Sequence, residues 1–353
     1  MGMPSVSITF TEVAATAIKR GERGIIAMIL RDNVVENKTY ECVSNEDIPK
    51  ELSDDNKKQI ELALMGYVNM PKKVIAYVIA NEAADYADAI KYLKTIKFNY
   101  LAVPTADTDD KKNDIVSFIK SQRSNGNLVK AVLPNVKGDS EGIINYTTEK
   151  VYENDKEYTT EQYCSRIAGI IAGTPLSISC TYAPLMELTD CTRLTRDEMD
   201  KAVDAGEFIV WHDGEKVKTA RGVNSLVTTT DTKNNQFKKI KIVETMDMIS
   251  DDIRKTAEDS YLGKYANTYD NKCLLLAAIG NYFDQLIIDN VISSASIEID
   301  TEANKSYLKS KGKDVESMSE DEIKRANTGS NVYLRAEIKI LDAIEDIVLP
   351  IAI

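Results

Sequence analysis

A single histidine, His212, stands beside Asp213-Gly214. A Ser-His-Asp triad would have to use it as its base, and no GxSxG elbow supplies the serine. Ser117-Phe118-Ile119-Lys120 has SxxK spacing, but the SDN and KTG partners of that chemistry are missing. Phe118 and Ile119 make this stretch one turn of an amphipathic helix. Neither GxxxxGK[ST] nor GxGxxG occurs, so no phosphate cradle of either kind is expected. Asp107, Asp109, Asp110 and Asp114 suggest a cation site, yet they lack the glycine and terminal glutamate of an EF-hand loop. They read instead as a solvated helix N-terminus. The five cysteines, Cys42, Cys164, Cys180, Cys191 and Cys273, are odd in number and have no CxxC spacing. A disulfide framework or zinc site is not expected. These residues therefore point to no catalytic group, no cofactor and no metal, and Trp211 reads as core.

The elements that would position any site give a clearer message. The chain has 353 residues, 43% of them hydrophobic and 28% charged, with a net charge of -12. That length calls for two or three domains, and the acidic balance disfavours nucleic acid and anionic lipid as partners. The opening MGMPSVSITF has no basic stretch followed by an apolar run, and no apolar stretch is long enough to span a bilayer, so neither a secretory leader nor membrane insertion is expected.

From residue 24 to 225 the pattern alternates. Ile25–Leu30, Lys73–Ala80, Tyr100–Val103 and Leu128–Leu133 read as buried strands. Ile60, Ala63, Leu64 and Tyr67 have helical spacing, as do Tyr86, Ile90 and Leu93, and Ile115, Phe118 and Ile119. Strand and helix in alternation predict an α/β domain with a mixed, largely parallel sheet. Thr159 with Gln162, Thr195 with Glu198, and Ser319 with Glu322 read as capping boxes. Gly169 and Gly173 form a GxxxG that would let a helix pack closely. Phe208–Lys218 reads as a hairpin around Asp213-Gly214, a dipeptide that suits a type I′ turn. Residues 226–344 predict a second, α+β domain: a strand at Phe237–Val243, helices at Thr245–Tyr265 and Asn271–Ile288, and strands at Ser296–Thr301 and from Val332 onwards.

Both ends of the chain carry strands outside that pattern. Val6, Ile8 and Phe10 alternate with polar residues within an arm over 1–23, and Ile347, Leu349, Ile351 and Ile353 alternate within an arm over 345–353. A lone strand leaves its backbone N–H and C=O groups unpaired. Adding it to the sheet of another subunit pairs them, and pairing that does not close yields a helical polymer. Burying the four C-terminal apolar residues is worth roughly 6–12 kcal/mol before ordering costs. The alternative is that both strands fold back into their own chain.

Three segments resemble contractile phage tail sheath proteins, above all the short sheaths of Gram-positive defective prophages and clostridial R-type bacteriocins. They are Gly21-Glu22-Arg23-Gly24-Ile25-Ile26-Ala27, the passage from Leu194-Thr195 through Asp213-Gly214 to Arg221-Gly222-Val223-Asn224-Ser225-Leu226, and the stretch from Lys241-Ile242-Val243 through Tyr261-Leu262-Gly263-Lys264 and Asn267 to Leu286.

The resemblance implies a subtilisin-like middle domain without catalysis and an inner C-terminal domain facing a tail tube. It implies a helical homo-oligomer with tail tube, baseplate and terminator proteins as partners, assembled in the bacterial cytoplasm and carried in a virion or bacteriocin tail. Terminal strands would be exchanged between subunits through Val6, Ile8, Phe10, Val332, Leu334, Ile338, Ile347, Leu349, Ile351 and Ile353. An α/β hydrolase, or the sheath of another contractile system built from two different chains, is the rival reading.

Overall fold

The computed structural model describes residues 17–21, 23–34 and 36–352. The chain divides into two compact units. One comprises Gly21–Met248 with the residues from Asp342 onwards; the other comprises Ile249–Leu341 with the described residues up to Arg20. The expected boundary at 225/226 follows the change in sequence pattern, whereas the compact division falls between Met248 and Ile249.

The larger unit is built on β1 (Ile25–Asp32), β2 (Lys38–Cys42), β3 (Lys73–Ala80), β4 (Tyr100–Ala102), β5 (Lys130–Pro134) and β6 (Ile143–Tyr146). Beyond them, β7 (Lys150–Glu153), β8 (Lys156–Thr159) and β9 (Asp190–Cys191) form a small antiparallel sheet. β10 (Glu207–Phe208) joins the first sheet, giving seven strands in the order β10-β6-β5-β4-β1-β3-β2. Every pairing in that sheet is parallel except β2 with β3. The mixed, largely parallel α/β fold is therefore as the sequence predicts.

Alternation along β1 shows why the sheet is buried on both faces. Ile26, Met28 and Leu30 enter one core with residues of α1 (Asp54–Leu64) and, beyond α2 (Ala87–Leu93) and α3 (Lys112–Ser124), of α4 (Thr160–Ala172). Ile25, Ala27 and Ile29 enter the opposite core with Leu93 of α2 and with Ile115 and Ile119 of α3. A strand covered on both faces needs apolar residues at consecutive positions, and this one has them. The GxxxG acts as expected: a Cβ on Gly169 would lie 2.3 Å from the Ala63 carbonyl oxygen, so only glycine lets α4 sit this close to α1. The capping boxes at Thr159 and Thr195 open α4 and α5 (Arg196–Asp204).

β11 (Val210–His212) and β12 (Val217–Thr219) form the predicted hairpin, with a corrected turn. The Asp213 N–H donates to the Lys216 carbonyl, so Gly214-Glu215 is the central pair, and Gly214 has φ +108. A glycine at the first central position suits a type II′ turn rather than type I′. Trp211 is half-buried and stands 5.8 Å from the Tyr182 ring with the Lys218 ammonium over it, so it is not core.

A second correction concerns Phe237–Val243. A short 3-10 turn at Asn235–Lys238 leads directly into α6 (Ile240–Ser260). Ile240, Ile242 and Val243 are all buried there. The small helix penalty of β-branched residues, a few tenths of a kcal/mol each, is overridden by that burial. The helix stops short of Tyr265 because Gly263 is left-handed at φ +74.

The smaller unit contains the rest of α6, α7 (Tyr269–Ile288), β13 (Ile292–Ile299), α8 (Thr301–Ser310), α9 (Glu320–Arg325) and β14 (Leu334–Ile340). α8 was not foreseen; the α9 capping box was. β13 and β14 pair antiparallel as a sheet of two strands. Tyr282 of α7 donates its hydroxyl to Asp252 of α6 at 2.8 Å in the buried interior. Among the described residues no helix is long and apolar enough to cross a membrane.

Candidate assembly site at the roots of the chain termini

The described residues after β14 run without secondary structure, and their polar and apolar members behave differently. Glu345 is tucked against the larger unit with its side chain 5% exposed. Its carboxylate accepts from Thr181 Oγ1 at 2.5 Å, from Ser179 Oγ at 3.4 Å and from Lys239 Nζ at 3.1 Å, with Arg221 Nε 3.8 Å away. Arg221 also reaches Asp346 at 2.6 Å, and Lys239 also holds Asp342. Burial works against the Lys239 charge, but Asp342 and Glu345 outweigh it and lift the ammonium pKa above its ordinary value. Beyond this clamp Ile347, Val348, Leu349 and Ile351 are 73–93% exposed. Val348 is not part of the expected alternating row, yet it is exposed too. Beside the clamp lies a cavity of about 340 Å³, lined by Tyr182, Arg196, Met199, Val203, Trp211 and Arg221.

The Arg221–Leu226 passage builds the clamp's floor. A Cβ on Gly222 would lie 2.8 Å from Cys180 Sγ, so glycine permits the close approach. The buried Asn224 side chain donates to the Phe237 carbonyl at 2.7 Å, and its N–H donates to the Lys238 carbonyl. Ser225 donates to Ser140 at 3.1 Å. The sequence motif thus ties the hairpin region to the start of α6.

The other terminus enters the larger unit at Arg23, whose guanidinium lies 2.5 Å from Glu244 of α6. Gly24 follows at φ +79, where a Cβ would press on the Ala172 carbonyl oxygen at 3.1 Å. Glu244 and Asp247, one turn apart on α6, share the fully buried Lys130 of β5 at 2.8 and 2.6 Å. Arg123 of α3 grips Asp247 through two nitrogens at 2.9 and 3.0 Å. Burial would raise the Glu244 pKa, but Lys130 and Arg23 hold it down at about 2. Sequence reading missed this network. Its signal was a lysine inside a run predicted to be a buried strand, since a buried ammonium requires a counter-charge.

Of the residues predicted for strand exchange, Val6, Ile8, Phe10 and Ile353 lie outside the described residues. Leu334 and Ile338 lie on β14, paired with Ile299 and Ala295 of β13 in the same chain, and Val332 is exposed just before it. Ile347, Leu349 and Ile351 form the exposed tail.

The residues weighed for chemistry are turned to other uses. His212 Nδ1 accepts the Gly214 N–H at 2.9 Å. Ser117 Oγ donates to the Asn113 carbonyl within α3. Asp109 is not solvated as expected: it takes hydrogen bonds from Arg31 at 2.7 Å, Thr105 at 2.8 Å and Tyr86. Asp107 pairs with Lys112 and Asp114 with Lys111. Among the described residues no three His, Cys, Asp or Glu side chains converge as a metal site. Burial raises the thiol pKa of Cys42 and Cys191 to about 11 and of Cys180 to about 12.

Comparison with known proteins decides the family. Residues 80–225 match the phage tail sheath protein central domain, and residues 232–353 match the phage tail sheath C-terminal domain. A tail sheath protein of Clostridium phage phiCD119 is 42% identical over 98% of this chain and 98% of its own length. The chain belongs to the phage tail sheath protein family. A sheath tail protein from Desulfitobacterium hafniense shares the fold at a TM-score of 0.71 and 20% identity, over 84% of this chain and 94% of its own. The helical sheath of the anti-feeding prophage, solved in its contracted state, matches at a TM-score of 0.74 and 14% identity over 100% of this chain and 99% of its own. Both likenesses show that the fold is shared with solved tail sheath structures.

Proposed function

We propose that this tail sheath protein is the repeating subunit of a contractile helical polymer, that it surrounds a tail tube in a metastable extended state, and that its shortening drives the tube through a target envelope. The subunit works without catalysis. Its partners are further copies of itself, the tail tube, and baseplate and terminator proteins, and it travels in a virion or bacteriocin tail after assembly in the bacterial cytoplasm. The sequence holds neither nucleotide-binding loop considered above, so in this reading the work comes from the lattice.

The observation that carries the reading is the exposed apolar tail beyond a firmly held root. A run of apolar side chains in water calls for a partner surface. β13 and β14 offer one, because a sheet of two strands is marginal alone and gains from added strands at its edges. Val332, Leu334 and Ile338 would then meet the arms of neighbours, Ile347, Leu349, Ile351 and Ile353 from one side and Val6, Ile8 and Phe10 from the other. Pro350 lacks an N–H, which suits an outer or unpaired register.

Removal of residues 347–353 tests this. The shortened chain should keep its circular dichroism and melting temperature while failing to form polymers under the microscope. A misfolded monomer, or a folded one that still builds normal tubes, refutes the exchange.

A further inference from the structure

The root of each arm within the larger unit, Arg23 on one side and Asp342 with Glu345 on the other, meets one short segment, Lys239–Glu244. At its start Lys239 holds Asp342 and Glu345, the latter at 3.1 Å. At its end Glu244 holds Arg23 at 2.5 Å. The segment is itself seated: the Ile240 N–H donates to the Gly222 carbonyl at 3.0 Å, and Glu244 pairs with buried Lys130 at 2.8 Å. The stretch before Arg23 has a further ion pair, Arg20 with Asp289 in the smaller unit, but those side chains are 45% and 34% exposed, where such pairs are worth little.

We propose that Lys239–Glu244 is a common pin that fixes the exit of both terminal arms, so that the roots of the two arms are coupled through this segment. The inference rests on the reading that the arms are exchanged between subunits. Its physical basis is a series connection: arm, Glu345, Lys239, first turn of α6, Glu244, Arg23, arm. A long arm leaving an unpinned root samples more directions and loses more entropy on docking. Pinned roots lower that cost, and breaking either link should release the constraint on the whole path.

Each link can be cut without exposing a buried charge. In Arg23→Gln, Glu244 keeps Lys130. In Lys239→Gln, which cuts both Asp342 and Glu345 from the segment, Glu345 keeps Thr181 and Arg221. The experiment measures the critical concentration for polymerisation by sedimentation for the full chain, both single variants, the double variant and the chain lacking residues 347–353, with thermal unfolding of each monomer alongside. Each single variant should raise the critical concentration about tenfold, the scale of one charged contact. The double variant should stay within about twofold of the worse single, because a series path is broken by either link. Single variants that polymerise like the unaltered chain, or a double variant whose effects multiply to about a hundredfold, overturn the pin. If the chain lacking 347–353 polymerises normally, the exchange reading itself fails, which is a separable result. Should either glutamine variant unfold, Arg23→Lys and Lys239→Arg, which keep charge but change reach, repeat the comparison under the same criteria.

Discussion

Glu244 illustrates how much a single carboxylate can depend on its neighbours. It is buried, which disfavours its charge, yet Lys130 and Arg23 keep it ionised with a pKa of about 2. A folded pKa below the unfolded value of about 4.3 means that the stabilisation is complete above that value and is lost as pH falls towards 2. Urea unfolding should therefore show a steep loss of stability between about pH 4.5 and 2. Glu244→Gln should flatten that limb and cost about 3 kcal/mol at neutral pH, the scale of a broken buried pair. An unchanged acid limb would contradict the assignment. His212→Ala, by contrast, should leave assembly and contraction near normal, because its Nδ1 only braces the hairpin turn; loss of contraction in a variant that still folds and assembles would overturn that. Lys130 was visible in the sequence as an anomaly within a strand. Its partners were not, because the segment just before Glu244 read as a strand, and a strand would not place Glu244 and Asp247 on one face.

At the scale of elements, the glycines separate close packing from mere tolerance. A Cβ on Gly169 would meet the Ala63 carbonyl at 2.3 Å, whereas one on Gly280 in α7 would meet nothing within 4 Å. Gly169→Ala should thus destabilise by about 1–3 kcal/mol through displacement of α4 from α1. Gly280→Ala should stabilise by about 0.4–1 kcal/mol by restricting the unfolded chain. Chemical denaturation of the two variants checks both signs, and a stabilising Gly169→Ala would refute the packing account. Strands of the central sheet were legible because double-sided burial forces continuous apolar runs, as in β1 and β3. Helix caps were legible because their chemistry is local. The start of α6 was not, since Ile240, Ile242 and Val243 favour a strand by intrinsic preference and are carried into a helix by tertiary contacts.

For the whole molecule, the informative feature is an apolar pattern without a mate among the described residues. Ile347, Leu349 and Ile351 alternate like a buried strand and yet stand exposed beyond the Glu345 clamp. Sequence periodicity revealed their amphipathic character. It did not reveal the clamp, because Glu345, Lys239, Arg221 and Thr181 come together only through the fold. The same limit applies to the partner strand, which in the proposed exchange would belong to another molecule. The central claim is that this chain polymerises by itself through its termini. Negative-stain microscopy of the purified protein at high concentration tests it most directly. Ribbed hollow tubes are the predicted result, and a strictly monomeric species by light scattering on the same sample would contradict the account.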